Sequence, residues 1–131
     1  MSTKVVIERY YQFLQQRDRT GLISLLSPEI EVIYHASNSR LPWAGIFKGI
    51  NGFDRFFDTI KAHLDIVDVV VIDRVFSENK AIMQCQGTWR RKATGTLIEG
   101  AMVNVFTIED RLISTYEVYA DTAAFEAAMN D

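Results

Sequence analysis

The stretch "VNVFTIEDRLISTYEVYADTAAF", residues 103–125, sets two alternating runs of apolar and polar residues on either side of Asp110-Arg111. Such alternation reads as half-buried strands, and a short charged dipeptide between them reads as a hairpin turn. If Asp110 and Arg111 form a two-residue loop, Asn104 faces Glu117, Met102 faces Tyr119 and Gly100 faces Asp121. One face then carries Met102, Asn104, Phe106, Ile108, Ile113, Glu117, Tyr119 and Asp121. The other carries Ala101, Val103, Val105, Tyr116, Val118 and Ala120. Neither face can be left wet. Apolar walls with a few convergent polar groups describe a ligand pocket, so the mixed face is expected to line one. The smooth face is expected to form a homodimer interface centred on Val103, Val105, Tyr116 and Val118.

Upstream of this hairpin, "IVDVVVIDRVF" and "KAIMQCQGTWRRK" continue the strand character after residue 65, and short turns between strands make neighbours antiparallel. The first half is different. Val6, Tyr10, Phe13 and Arg17 recur at helical spacing and predict an amphipathic helix over 3–17. A short helix over 20–26 stops at Ser27-Pro28, and "EIEVIYH" reads as a strand. After the loop "ASNSRLPWAGIFKGI", Phe53, Phe56, Phe57, Ile60 and Leu64 form the apolar stripe of a third helix, with Asn51 as its expected N-cap. A closing helix is expected from Thr122 to Met129. Helices first and a long meander afterwards predict an α+β fold: N-terminal helices packed on a strongly curved, mainly antiparallel sheet.

The composition excludes several roles. At 131 residues, with 48% apolar and 24% charged residues and no linker or repeat, residues 1–131 read as one globular domain. A net charge of −3 offers no field for nucleic acid. The first residues carry no signal-peptide pattern, and no apolar run approaches the ~20 residues of a membrane span. Cys85 is alone, which suits a reducing, cytoplasmic compartment. The two histidines lack metal-ligand spacing, so no metal site is expected.

Three stretches, "VIERYYQFLQQRDRTGLISLLSPEIEV", "WAGIFKGINGFDRFF" and the hairpin quoted above, together resemble the nuclear-transport-factor-2-like (NTF2-like) superfamily. The likeness is to its SnoaL-like polyketide cyclases and ketosteroid-isomerase-like members. It implies a cystatin-like cone with an internal apolar pocket, often dimeric and free of cofactor. Steroid isomerases place an oxyanion-binding tyrosine on the first helix, where Tyr10 falls. Their second oxyanion donor, an aspartic acid, is replaced here by Asn104, whose amide can also donate. Their catalytic aspartate on the first strand is replaced by Tyr34, a poor base near neutral pH with a reference pKa of about 10. SnoaL-like cyclases use an aspartate at the end of the last strand, a place Asp121 resembles.

The residues to follow are therefore Asp121, Tyr10, Asn104 and His35 as the catalytic set. Tyr34, Trp43, Phe47, Met102, Phe106, Glu117 and Tyr119 are the expected substrate-binding wall. Each has a structural alternative. Asp121 precedes a helix, where Asp caps well. Tyr10 suits a core position, His35 suits a hydrogen-bonded strand end, and Glu117 could accept from Asn104. Two functions stay open. One is proton transfer on a small apolar carbonyl compound, by isomerisation, aldol-type cyclisation or dehydration. The other is a non-catalytic, dimeric binding or accessory protein.

Overall fold

The computed structural model describes residues 2–36 and 40–130. Helix α1, Thr3–Gln16, starts at Ser2, whose hydroxyl accepts from the Val5 amide at 3.2 Å, and ends at Arg17 in the left-handed region. Asp18 caps the short α2, Arg19–Ser24, through the Gly21 amide. Strand β1 spans Leu26–Tyr34 and begins earlier than the alternation suggests. A register shift between Leu26 and Glu31 accommodates Pro28, which has no amide proton to give to a ladder.

The loop quoted above contains a strand that its sequence does not announce: β2, Gly45–Lys48, antiparallel to β1. Gly49, at φ 76°, turns the chain directly from β2 into α3, Gly49–His63. Helix α3 therefore starts before Asn51. Its N-cap is Lys48, which makes no side-chain cap, and Asn51 is an exposed residue inside the helix. Strands β3 (Leu64–Phe76), β4 (Lys80–Arg91), β5 (Leu97–Glu109) and β6 (Leu112–Ala120) form the meander, and α4, Thr122–Met129, closes the chain.

The six strands lie in the order β2-β1-β6-β5-β4-β3, and all neighbours are antiparallel except β1 and β6. On β4, Ala81, Met83, Cys85 and Trp89 are buried on the concave face, while Ile82, Gln84 and Gln86 are exposed on the convex one. Gly87 is required by contact: a Cβ there would lie 2.2 Å from the Trp89 ring, which folds back over it. No helix among the described residues is long and apolar enough to cross a membrane.

The last hairpin holds the main departure from the sequence reading. Asp110 and Arg111 form the turn, both at positive φ (51° and 65°), as a two-residue hairpin loop of this hand requires. Next to it, Ile108 pairs with Ile113 and Thr107 pairs with Thr115. Ser114 is left over as a β-bulge, its hydroxyl donating to the Thr107 carbonyl at 3.2 Å. One extra residue turns every later side chain of β6 to the opposite face. Asn104 thus faces Val118, Phe106 faces Tyr116, and Glu117 faces Val105. Tyr116 and Val118 are buried on the concave side, and Glu117 and Tyr119 lie on the convex side.

Candidate ligand-binding cavity

Between the concave face and the helices lies a cavity of about 920 Å³. Helix α1 contributes Tyr10 and Tyr11, α3 contributes Phe56, Phe57 and Ile60, and α4 contributes Phe125. The sheet supplies Tyr34, Trp89, Met102, Asn104, Tyr116, Val118 and Ala120, and the loop before β2 supplies Trp43. Trp43 is 1% exposed and meets Tyr34 and Phe125 edge-on at 6.3 and 6.0 Å. It is a structural wall rather than a movable cover.

The polar groups of the interior are few. Asn104 Nδ2 donates to the Tyr11 hydroxyl at 3.1 Å. The Asn104 Oδ1 atom and the Tyr10 and Tyr34 hydroxyls are buried without a hydrogen-bond partner among the described residues. Leaving one such group unsatisfied costs about 1–3 kcal/mol, so three around one cavity point to a molecule that would satisfy them. Burial pushes the Tyr10 and Tyr116 phenols well above the ordinary tyrosine value and raises Tyr11 and Tyr34 as well. Tyr116 and Trp43 pull Tyr10 and Tyr34 back slightly, but neither reaches hydrogen-bonding geometry with them. These phenols are donors that keep their protons at neutral pH.

Charge is confined to the rim. Arg17, Arg19, Asp54, Asp58, Lys61, Asp65 and Lys92 line the cavity and are half-exposed or exposed. Arg19 and Asp54 form a two-point ion pair between α2 and α3, and Lys92 lies 3.8 Å from Asp65. Among the described residues, no cluster of three or more His, Cys, Asp or Glu side chains is arranged to hold a metal ion.

Of the expected site residues, the structure brings Tyr10, Tyr34, Trp43, Met102 and Asn104 together on the cavity wall. Phe47 and Phe106 stand behind it, Phe47 against Phe56 at 5.5 Å and Phe106 stacked on Tyr116 at 4.9 Å. Asp121 is exposed and caps α4, its carboxylate accepting from the Ala124 amide at 3.2 Å. His35, Glu117 and Tyr119 form a separate cluster on the convex face. The His35 Nε2 lies 3.0 Å from the Glu117 carboxylate, and the imidazole stacks on Tyr119 at 4.2 Å. Glu117 is therefore no partner of Asn104, because the bulge has carried it through the sheet. The same bulge brings in Tyr116 and Val118, which a regular hairpin assigns to the outside. Tyr11 also goes unpredicted from sequence, since its neighbour Tyr10 occupies the apolar stripe. The side-chain proximity of Tyr11 to Asn104 is the feature that reveals it.

The comparisons agree on the architecture. An NTF2-like protein from Burkholderia thailandensis, 17% identical, superposes with a TM-score of 0.89 over 100% of this chain and 99% of its own. A second NTF2-like protein, from Burkholderia xenovorans, is 19% identical, with a TM-score of 0.82 over 95% and 93% of the two chains. TerC, a protein co-crystallised with polyporic acid, is 18% identical, with a TM-score of 0.83 over 96% of each chain. At such identities the likeness is one of fold, the NTF2-like cone. No curated protein matches the chain in sequence. The SnoaL-like domain family has a model that matches residues 7–116, most of the chain, and the protein belongs to that family.

Proposed function

We propose that this protein binds a small, largely apolar, carbonyl-containing molecule in its cavity, as a binding module rather than a proton-transfer catalyst. The observation that carries the reading is the character of the wall. Three unpartnered polar atoms sit among aromatic side chains, while Asp121, His35 and Glu117, the groups suited to exchanging a proton, lie outside it. Of the rim carboxylates, Asp54 and Asp65 are held by Arg19 and Lys92. The crystallisation of TerC with polyporic acid is consistent with a ligand role for the fold. A second reading, isomerisation, aldol-type cyclisation or dehydration, draws on the Tyr10 hydroxyl to hold an oxyanion, with Asn104 joining it only when its amide turns to present the NH2 group now donated to Tyr11. It needs a base, and Asp58 at the rim is the lining carboxylate without an ion pair among those described.

Both tryptophans, Trp43 and Trp89, wall the cavity and report its occupancy. Benzophenone titrated into the protein should quench their fluorescence saturably. Val118→Phe, which places a ring on the cavity floor, should weaken that binding by about tenfold or more. Quenching that does not saturate, or that Val118→Phe leaves unchanged, would overturn the pocket reading.

We also propose a homodimer through the convex face, with different residues from those expected in a regular hairpin. Tyr116 and Val118 point inward, so Val103 and Val105 remain and are joined by Val75, Ile82 and Tyr119. Val75, Ile82 and Val105 form one row across three strands, and Val75 and Ile82 are 57% and 41% exposed. Sedimentation should give a dimer at micromolar concentration, and Ile82→Glu should give a folded monomer. A monomeric unsubstituted protein would contradict this. The single, buried Cys85 suits a reducing compartment, and we place the protein in the cytoplasm.

A further inference from the structure

Tyr34, Val118 and Asn104 occupy one row of the sheet. Tyr34 on β1 pairs with Val118 on β6, which pairs in turn with Asn104 on β5. All three are buried on the concave side and line the cavity. Two inter-strand steps separate the outer pair by roughly 10 Å at the backbone. A ligand resting on Val118 therefore meets a different polar group at each end. The Tyr34 hydroxyl is a protonated phenol with no partner among the described residues, hence a donor. The Asn104 amide is anchored by its donation to Tyr11, which leaves Oδ1 as an unpartnered acceptor.

We propose, building on the pocket reading above, that the ligand is a neutral hydroxyketone lying across Val118, its carbonyl accepting from Tyr34 and its hydroxyl donating to Asn104. Two features select for neutrality. The charged side chains of the cavity are at the rim, and an anion at Asn104 would face the lone pairs of Oδ1. An apolar ketone without a hydroxyl would leave that oxygen unsatisfied, and an alcohol without a carbonyl would leave Tyr34 so.

Three probes of one shape separate the two ends. Para-hydroxybenzophenone carries both groups, para-methoxybenzophenone cannot donate, and para-benzylphenol lacks the carbonyl. The first should bind about tenfold more tightly than either of the others, the factor expected for one buried hydrogen bond. In Asn104→Leu the preference over the methoxy ether should fall to about twofold or less, with the preference over para-benzylphenol kept. In Tyr34→Phe the reverse should hold. Each preference is a ratio measured on one variant, so a partly unfolded variant changes both affinities equally and the ratio survives. Equal affinities in the unsubstituted protein, or a preference for the methoxy ether, would overturn the proposal, the latter because an amide turned end for end would present its NH2 group. Binding of all three probes with no preference leaves the pocket reading standing. Binding of none, with no effect of Val118→Phe on benzophenone, brings down both.

Discussion

Between about pH 10 and pH 11 the protein should lose stability steeply, because its buried phenols keep protons that an unfolded chain would release at a reference pKa of about 10. Burial raises Tyr10, Tyr11 and Tyr116 in the folded state. The sign follows from linkage: below the unfolded value both states hold the proton and stability is fully present, and above it the folded state binds more protons, so stability falls as pH rises. Each phenol contributes about 1 kcal/mol of loss between pH 10 and pH 11, approaching about 1.4 kcal/mol per pH unit above that, and these three together about 3 kcal/mol. Urea midpoints measured across this range should drop accordingly. Tyr10→Phe, which removes one titrating group while keeping the ring, should flatten the slope by about a third. A midpoint that holds constant to about pH 11 would mean that these hydroxyls are solvated in the folded protein.

Trp43→Ala should cost about 3–5 kcal/mol of unfolding free energy, the range for a buried aromatic truncated to alanine. Trp43 is 1% exposed and touches β1 through Tyr34, α4 through Phe125 and α3 through His63. Its indole is the piece that joins the loop before β2 to three other elements. Removing it opens the cavity at the wall, so benzophenone affinity should fall together with stability. Chemical denaturation provides the measurement. A loss below about 1 kcal/mol would show that the loop swings away from the cavity, since only an exposed aromatic is truncated so cheaply.

Much of this architecture is legible in the sequence because its signals are long and periodic. The stripe Phe53, Phe56, Phe57, Ile60 places α3, and the alternation of 97–120 places β5 and β6. What escapes are features that act through one or two residues. Ser114 is a small polar residue between Ile113 and Thr115, and nothing in its context says that it will stand outside the ladder. Yet its bulge reverses the faces of Tyr116, Glu117, Val118 and Tyr119 and so decides which of them reach a ligand. Asn51 has the chemistry of a cap, but β2 and the positive φ of Gly49 start the helix three residues sooner. Asp121 illustrates the opposite case, in which the structural alternative was visible from the start. An aspartate immediately before an alanine-rich helix caps it, and the Ala124 amide is where its carboxylate goes.

The central claim is that the cavity binds a neutral molecule without a group that titrates near neutrality. Its most direct test is the affinity for benzophenone, which carries no titrating group of its own, followed from about pH 5 to pH 8, below the titration of ordinary tyrosine, in the unsubstituted protein and in Asp121→Asn. The account predicts a flat profile, since the interior phenols stay protonated throughout, and an unchanged affinity in Asp121→Asn, since asparagine caps α4 about as well. A sigmoidal profile with a midpoint in the carboxylate or histidine range, abolished by Asp58→Asn, Asp121→Asn or His35→Gln, would contradict it and return the proton-transfer reading to first place.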